Sequence, residues 1–176
     1  MTDRPTYAES PKCVVSGSFR QHYTRILQVR EALSRAGAWV LSPAGSQVID
    51  PHQEFVLLDS DLARWQDPEI RHIEDAVLEG IRASDFLYVC NPEGYVGRST
   101  AFEIGYAAAL GKRVVALCPP TDPMILRYVD HIAGPAQAVA LLYPQLGARE
   151  PLAEGSREEE PMLEHPQPHH PPAGQR

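Results

Sequence analysis

One glutamate, Glu103, lies within an apolar stretch that the residue pattern predicts to be helical. It follows Ser99 and Thr100, which are residue types that commonly cap the start of a helix. A carboxylate near a helix start has an ordinary explanation, because it can complete a cap or interact with the helix dipole. Its neighbours indicate more than that, since carboxylates are rarely buried among apolar residues without a reason. Those neighbours are Ala101, Phe102, Ile104, Gly105, Tyr106 and Ala107.

Residues that suit an anion precede the first predicted helix. Gly17 and Ser18 follow a strand-like run, and Phe19 and Arg20 come next. Glycine allows a ligand to approach the backbone, the N–H groups at a helix start attract anions, and arginine adds a planar fork of donors. These residues are therefore a candidate phosphate site. From these residues alone, an ordinary strand-to-helix turn with a surface arginine is the simpler explanation.

A second group of candidate contacts lies in the turn-rich loop before the helix of Glu103. Two glycines bracket the tip of this loop, and an arginine follows at the helix start. This arginine, Arg98, is a candidate contact because of its charge and its position. The candidate substrate contacts in this group are Asn91, Gly94, Tyr95, Gly97, Arg98 and Ser99.

The elements that must position these residues alternate along the chain. Strand-like runs fall at 12–16, 38–41, 85–90 and 113–118, and amphipathic helices are predicted at 23–36, 69–83 and 99–110. Strands separated by single helices become parallel neighbours, and strands without polar alternation are covered on both faces. The predicted fold is a three-layer α/β/α sandwich around a doubly wound, mainly parallel sheet of about five strands, of flavodoxin or Rossmann-like type.

Ligands of such sheets bind beyond the carboxyl ends of the strands, which is where Glu103 and both loops are expected. Other segments are harder to predict. Residues 44–51 are loop-like, 54–58 fit either a short strand or one helical turn, 124–132 fit a helix, and 138–142 fit a last strand or part of a helix.

Composition divides the chain of 176 residues into one folded domain with two tails. Residues 1–11 are predicted to be a flexible N-terminus and 12–146 the folded domain. Residues 147–176 are acidic and rich in proline, so they bury too little apolar surface to fold and are predicted to be disordered.

Several classes of function are disfavoured. A formal net charge of -7 offers no broad basic surface for long nucleic acid. No apolar run approaches the roughly 20 residues of a membrane span, and the N-terminus lacks the apolar segment of a secretory signal. The spacing of Cys13, Cys90 and Cys118 fits no metal site, which favours buried, reduced thiols in a cytoplasmic protein. We expect neither metal nor cofactor.

The run GYVGRSTAFEIGYA at 94–107, followed by GKRV at 111–114, resembles the signature of the nucleoside 2-deoxyribosyltransferase-like superfamily. That superfamily includes deoxyribosyltransferases and nucleoside 5'-monophosphate N-glycosidases. The resemblance extends to residues 83–85 and the strand after them. It also includes residues 17–20, which look like the phosphate-holding opening of the monophosphate hydrolases. It covers most of residues 12–118.

The resemblance implies roles for individual residues. Glu103 corresponds to the nucleophile that attacks the anomeric carbon and forms a glycosyl ester, which water or a second nucleobase then resolves. Ser18, Arg20 and Ser99 would contact a 5'-phosphate, while Gly17 and Gly97 would allow backbone approach. Relatives often complete the site across a subunit interface, so a homodimer is expected.

One position departs from the superfamily pattern. The aspartate that helps to protonate the departing base corresponds to Val77 here. Glu74 and Asp75 lie about 300° and 200° around the helix from that position, so the sequence predicts that neither is a simple replacement. The weaker candidates for a proton donor are His22, Tyr23 and His52.

This departure keeps a second hypothesis open, namely a nucleotide-sensing module of the same fold without turnover. A third, a phosphoribohydrolase of the cytokinin-activating kind, ranks last because the chain has no Pro-Gly-Gly-x-Gly-Thr run.

Overall fold

A parallel sheet of five strands forms the centre of the computed structural model, which describes residues 10–45, 48–50, 57–59 and 70–147. The strands of this sheet are β1 (Lys12–Gly17), β2 (Trp39–Ser42), β5 (Phe86–Cys90), β6 (Arg113–Ala116) and β7 (His131–Ile132). Their spatial order is β2-β1-β5-β6-β7, and every neighbouring pair is parallel. A separate antiparallel pair consists of β3 (Val48–Asp50) and β4 (Leu57–Leu58).

Helices connect the strands and cover both faces of the sheet. They are α1 (Phe19–Arg35), α2 (Ile70–Ala83), α3 (Arg98–Ala109), α4 (Pro123–Leu126), α5 (Pro135–Leu142) and α6 (Pro144–Gly147), with a 3₁₀ turn at Pro92–Gly94. In the described part of the chain, none of these helices has both the length and the apolar character to cross a membrane.

Two apolar cores lie on opposite faces of the sheet. Alternate strand residues such as Cys13 and Val15 pack under α1 and α5. Val14, Leu87 and their neighbours pack under α2 and α3 on the other face. Because side chains alternate along a strand, this pattern produces the predicted three-layer sandwich with a parallel sheet.

The strand order reverses between β1 and β5, so the chain leaves the sheet in opposite lateral directions after these two strands. Their last residues, Gly17 and Cys90, are paired in register. The loop after β1 and the loop after β5 therefore leave the sheet side by side. Such a reversal opens a crevice at the carboxyl edge, where α/β sheets hold their ligands.

Some predicted elements were wrong near the end of the domain. Residues 131–132 form β7 instead of continuing a helix, because the backbone of 130–133 pairs with β6. The Asp130 N–H donates to Val114 O at 2.8 Å, and the Ala133 N–H donates to Ala116 O at 3.0 Å. The ambiguous segment 138–142 is helical, within α5. Pro135 stands in the first turn of that helix, where its missing N–H costs no hydrogen bond.

Other boundaries also differ from expectation. Helix α1 begins at Phe19 instead of near position 23, with a non-helical residue at His22 (φ -128°, ψ 27°). Val48–Asp50, predicted as loop, is a strand, because it pairs with Leu57–Leu58 of the ambiguous segment. The predicted tails lie almost wholly outside the described residues, as does His52.

Candidate active site

Glu103 lies in the buried stripe of α3 that faces the sheet. The stripe consists of Thr100, Glu103, Ile104 and Ala107, at the spacing of one helix face. Only 8% of the surface of Glu103 is exposed. The helix starts at Arg98 with Gly97 at the capping position, not Ser99 as predicted, so Glu103 is too deep in the helix to complete a cap. The ordinary explanation for this carboxylate therefore fails.

A serine that the sequence analysis missed stands beside Glu103. Ser16 is buried near the end of β1, and strand alternation places it on the same face as Val14, under α2 and α3. Its hydroxyl interacts with the Glu103 carboxyl and favours the charged form. The same hydroxyl forms no hydrogen bond of normal geometry within the described residues, so it remains available to a ligand or an ionised carboxylate.

A second carboxylate, Glu74, lies close enough for its charge to act on Glu103. It is spaced one helical turn from Val77 and Leu78, which pack on the core under α2. An angle of about 300° around the helix leaves Glu74 only about 60° from Val77, so the two residues lie on nearly the same side of α2. The helix starts at the carboxyl edge, so Glu74 is one turn nearer the site.

Burial controls the protonation of this pair. Removal from water raises the pKa of Glu103 to about 8, the interaction with Ser16 opposes that rise, and the nearby charge of Glu74 adds to it. Burial also raises the pKa of Glu74, followed by the charge of Asp75. Two such carboxyls titrate as a pair, and both are held towards the protonated form.

The loop after β1 divides into packing residues and exposed ones. A Cβ on Gly17 would lie 2.7 Å from the carbonyl oxygen of Cys90, so close packing of β5 already requires this glycine. Phe19 packs against the core under α1. Ser18 occupies the capping position of α1 without a side-chain cap bond, and Arg20 is exposed in the first turn. Packing within the domain therefore explains Gly17 and Phe19 but not Ser18 and Arg20.

The loop after β5 is held in place by its own polar groups. The side chain of Asn91 donates to the Cys118 carbonyl at 2.7 Å and accepts from the Cys118 N–H at 3.0 Å, which ties the ends of β5 and β6 together. Gly94 has φ +81°, and a Cβ there would lie 2.4 Å from Pro119 O. The contacts of both residues stabilise the loop.

The remaining predicted contacts lie at the start of α3. Arg98 and Ser99 are exposed in its first turn, directly after Gly97. Tyr95 is 45% exposed, and its ring meets the ring of His22 edge to face at 6.4 Å. This ring contact joins the two loops, so the starts of α1 and α3 face the same crevice.

Two other features lie outside this arrangement. A surface groove of about 430 Å³ between α2 and α3 is lined by His72, Asp75, Ala76, Leu78, Glu79, Arg82 and Tyr106. Glu103 does not line this groove, so the groove is not the site described above. Among the described residues there is no cluster of three or more His, Cys, Asp or Glu side chains arranged to hold a metal ion.

Comparisons with known proteins find a matching family model and similar solved structures. A family model described as nucleoside 2-deoxyribosyltransferase matches residues 16–162. The 2-deoxyribosyltransferase of the psychrotolerant bacterium Bacillus psychrosaccharolyticus is 17% identical, with a TM-score of 0.53, over 77% of this chain and 95% of that protein. A CMP N-glycosidase of Clostridium botulinum is 16% identical, with a TM-score of 0.49, over 74% and 98%. No curated protein sequence matches the chain.

The buried carboxyl predicts that stability falls as pH rises. Glu103 ionises near its ordinary pKa of 4.5 in the unfolded chain but only near pH 8 in the folded one. Between these values the folded state holds a proton that the unfolded state has lost, so raising the pH favours unfolding. At pH 8 and above we expect Glu103→Gln to be more stable than the wild type by roughly 4 kcal/mol, which corresponds to about 10 °C in Tm.

Thermal melts followed by circular dichroism measure this difference, which should become small at pH 5. Glu79→Gln is the matched control, because Glu79 is exposed on α2 and its removal should leave Tm nearly unchanged. Identical melts for wild type and Glu103→Gln at pH 8 would show that the Glu103 carboxyl is not held protonated by burial.

Proposed function

Because the chain belongs to the nucleoside 2-deoxyribosyltransferase family, we propose that it cleaves the N-glycosidic bond of a nucleoside or nucleoside 5'-monophosphate, with Glu103 as the nucleophile. Family membership supports deoxyribosyltransferase or N-glycosidase activity in general. The observation that carries the finer proposal is the burial of Glu103 at the carboxyl edge, where the strand order reverses. Water as acceptor gives hydrolysis, and a second base gives transfer.

The reaction uses the ionised form of Glu103. Its carboxylate attacks the anomeric carbon, the bond to the base breaks, and a glycosyl ester forms. Positive charge develops on the sugar as the base departs, and a carboxylate stripped of water stabilises that charge more than bulk water does. The Ser16 hydroxyl favours the charged carboxylate. The free-energy cost of burying the Glu103 charge is thus offset most in the transition state, where the positive charge on the sugar is present.

A 5'-phosphate fits the starts of α1 and α3. Ser18 and Gly97 occupy the two capping positions, and neither supplies a side-chain bond to the first-turn N–H groups. The first two N–H groups of each helix are therefore available to an anion. Arg20, Arg98 and Ser99 add exposed donors around them. Within this proposal Phe19, Asn91 and Gly94 shape the loops, and Gly17 lets β1 and β5 approach each other. Gly97 allows the ligand to approach the backbone, and Tyr95 borders the crevice through its contact with His22.

The direct test is release of free base from a panel of nucleosides and nucleoside 5'-monophosphates, followed by chromatography. We expect the wild type and Glu79→Gln to release base from at least one member, and Glu103→Gln to lose at least about 10³-fold of that rate because the nucleophile is gone. Equal release by wild type and Glu103→Gln would refute the proposed nucleophile. Tight calorimetric binding of an intact nucleotide with no release would favour the sensing module instead.

The phosphate contact is tested by Arg20→Ala. Loss of a charged hydrogen bond should raise KM for a nucleoside 5'-monophosphate about tenfold or more, while the unphosphorylated nucleoside is little affected. Arg35→Ala is the control, since Arg35 lies at the opposite end of α1 and pairs with Glu31. A parallel rise in KM for both substrates would remove Arg20 from the phosphate site.

We also propose a homodimer, supported by large apolar side chains on the outer side of α3. Phe102 is 56% exposed and Leu110 is 41% exposed. A dimer has twice the chain mass of 19.5 kDa, which multi-angle light scattering measures. We expect Phe102→Glu to shift the protein towards the monomer, because the interface would have to bury a charge. A wild type with the mass of a single chain would contradict the proposal.

A further inference from the structure

Helices α2 and α3 pack beside each other over β1, and each carries a carboxylate in its inner stripe. In α3 the carboxylate is Glu103. In α2 it is Glu74, spaced one turn from Val77 and Leu78 and two turns from the fully buried Ile81. Both helices start at the carboxyl edge of the sheet, because α2 leads into β5 and α3 follows it. The two carboxylates therefore lie at the same end of the same interlayer space.

The Oε1 atom of Glu74 is buried and forms no hydrogen bond within the described part of the chain. The nearby cations of α2 lie with other acids, since Arg71 is 3.6 Å from Asp75 and Arg82 is 3.7 Å from Glu79. A buried carboxyl atom without a donor is costly unless something else occupies the space or the group carries a proton.

The charges that act on this pair come from acids. Glu74 acts on Glu103, and Asp75 acts on Glu74, while the Ser16 hydroxyl of β1 interacts with Glu103. Two neighbouring carboxylates do not both ionise readily, so the pair retains one proton, and the reaction requires that proton on Glu74 and the negative charge on Glu103. An arrangement with one ionised and one protonated carboxyl supplies a nucleophile and an acid together.

We propose that Glu74 protonates the departing base, one helical turn away from the position at Val77 that the superfamily resemblance implies for this acid. The proposal rests on the proposed function. In the first step the Glu103 carboxylate bonds to the anomeric carbon, the electron pair of the carbon–nitrogen bond goes to the base, and the Glu74 proton joins that base. In the second step water attacks the anomeric carbon, gives its proton to Glu74, and frees Glu103 as a carboxylate.

Other acids of α2 are less suited to this role. Asp75 and Glu79 have side chains that are 59% and 66% exposed, and each lies beside an arginine. The charge of Glu74, in contrast, acts on Glu103. Glu79 is therefore the matched control, since it lies on the same helix and has the same side chain.

The leaving group distinguishes an acid from a structural residue. Glu74→Gln should lower kcat on a cleaved nucleotide by about 10²–10⁴-fold, because the base must then leave without a proton. On the 4-nitrophenyl glycoside of the same sugar phosphate the loss should stay under about tenfold, since nitrophenolate leaves unprotonated. Glu103→Gln should lose both activities, and Glu79→Gln should keep both. Glu74→Asp should retain more activity on the nucleotide than Glu74→Gln.

The outcomes separate this inference from the proposed function. Suppose that the wild type cleaves the nucleotide and Glu103→Gln does not. If Glu74→Gln is then fully active, or loses activity on both substrates equally, only the role of Glu74 is overturned. If the wild type releases neither base nor nitrophenolate, the proposed function fails, and the role of Glu74 fails with it.

A measurement without turnover checks the pairing itself. In carbon-13 NMR of labelled glutamate carboxyls, Glu74→Gln should move the titration of Glu103 to lower pH, because a neighbouring negative charge has been removed. Glu79→Gln should leave that titration unchanged. A Glu103 titration that is the same in wild type and Glu74→Gln would overturn the pairing and the inference built on it.

Discussion

The main constraint on the structure is a carboxyl group, Glu103, that is kept from water at the carboxyl edge of a parallel sheet. Burial raises its pKa to about 8, so the folded chain is less stable at neutral pH than an apolar residue there would make it. The two cores on either face of the sheet must offset that cost. Functional sites commonly lower the stability of a protein, because the strain and desolvation that cost stability also serve the reaction.

Layer architecture could be predicted from the sequence because burial on both faces leaves a periodic signal in each element. Strands such as Phe86–Cys90 are apolar throughout, and helices show one apolar face. The short strand β7 left no such signal, since its two residues are strand only through pairing with β6. Ser16 was missed for a related reason, because its importance comes from facing another layer and not from a local motif.

Loop residues were harder to interpret because one residue type serves two physical needs. Glycine at 17 and 94 suggests room for a ligand, yet at both positions a Cβ would collide with a carbonyl oxygen of the protein itself. Asn91 has the side chain of a ligand contact, but both ends of its amide are bonded to Cys118. The sequence predicts a site at these loops, while three-dimensional contacts decide which of their residues remain available to a ligand.

Helix periodicity allows the proposed acid, Glu74, to lie one turn from the Val77 position without a change of fold. Residues three apart point to nearly the same side of a helix, one turn apart along its axis. Val77 fills the apolar stripe of α2, while Glu74 lies one turn nearer the carboxyl edge, where its charge is felt by Glu103. An alignment of the motif position by position shows only that the acid at position 77 is missing. In three dimensions the acid of α2 is shifted by about 5 Å along the helix axis, a distance that a glutamate side chain can span.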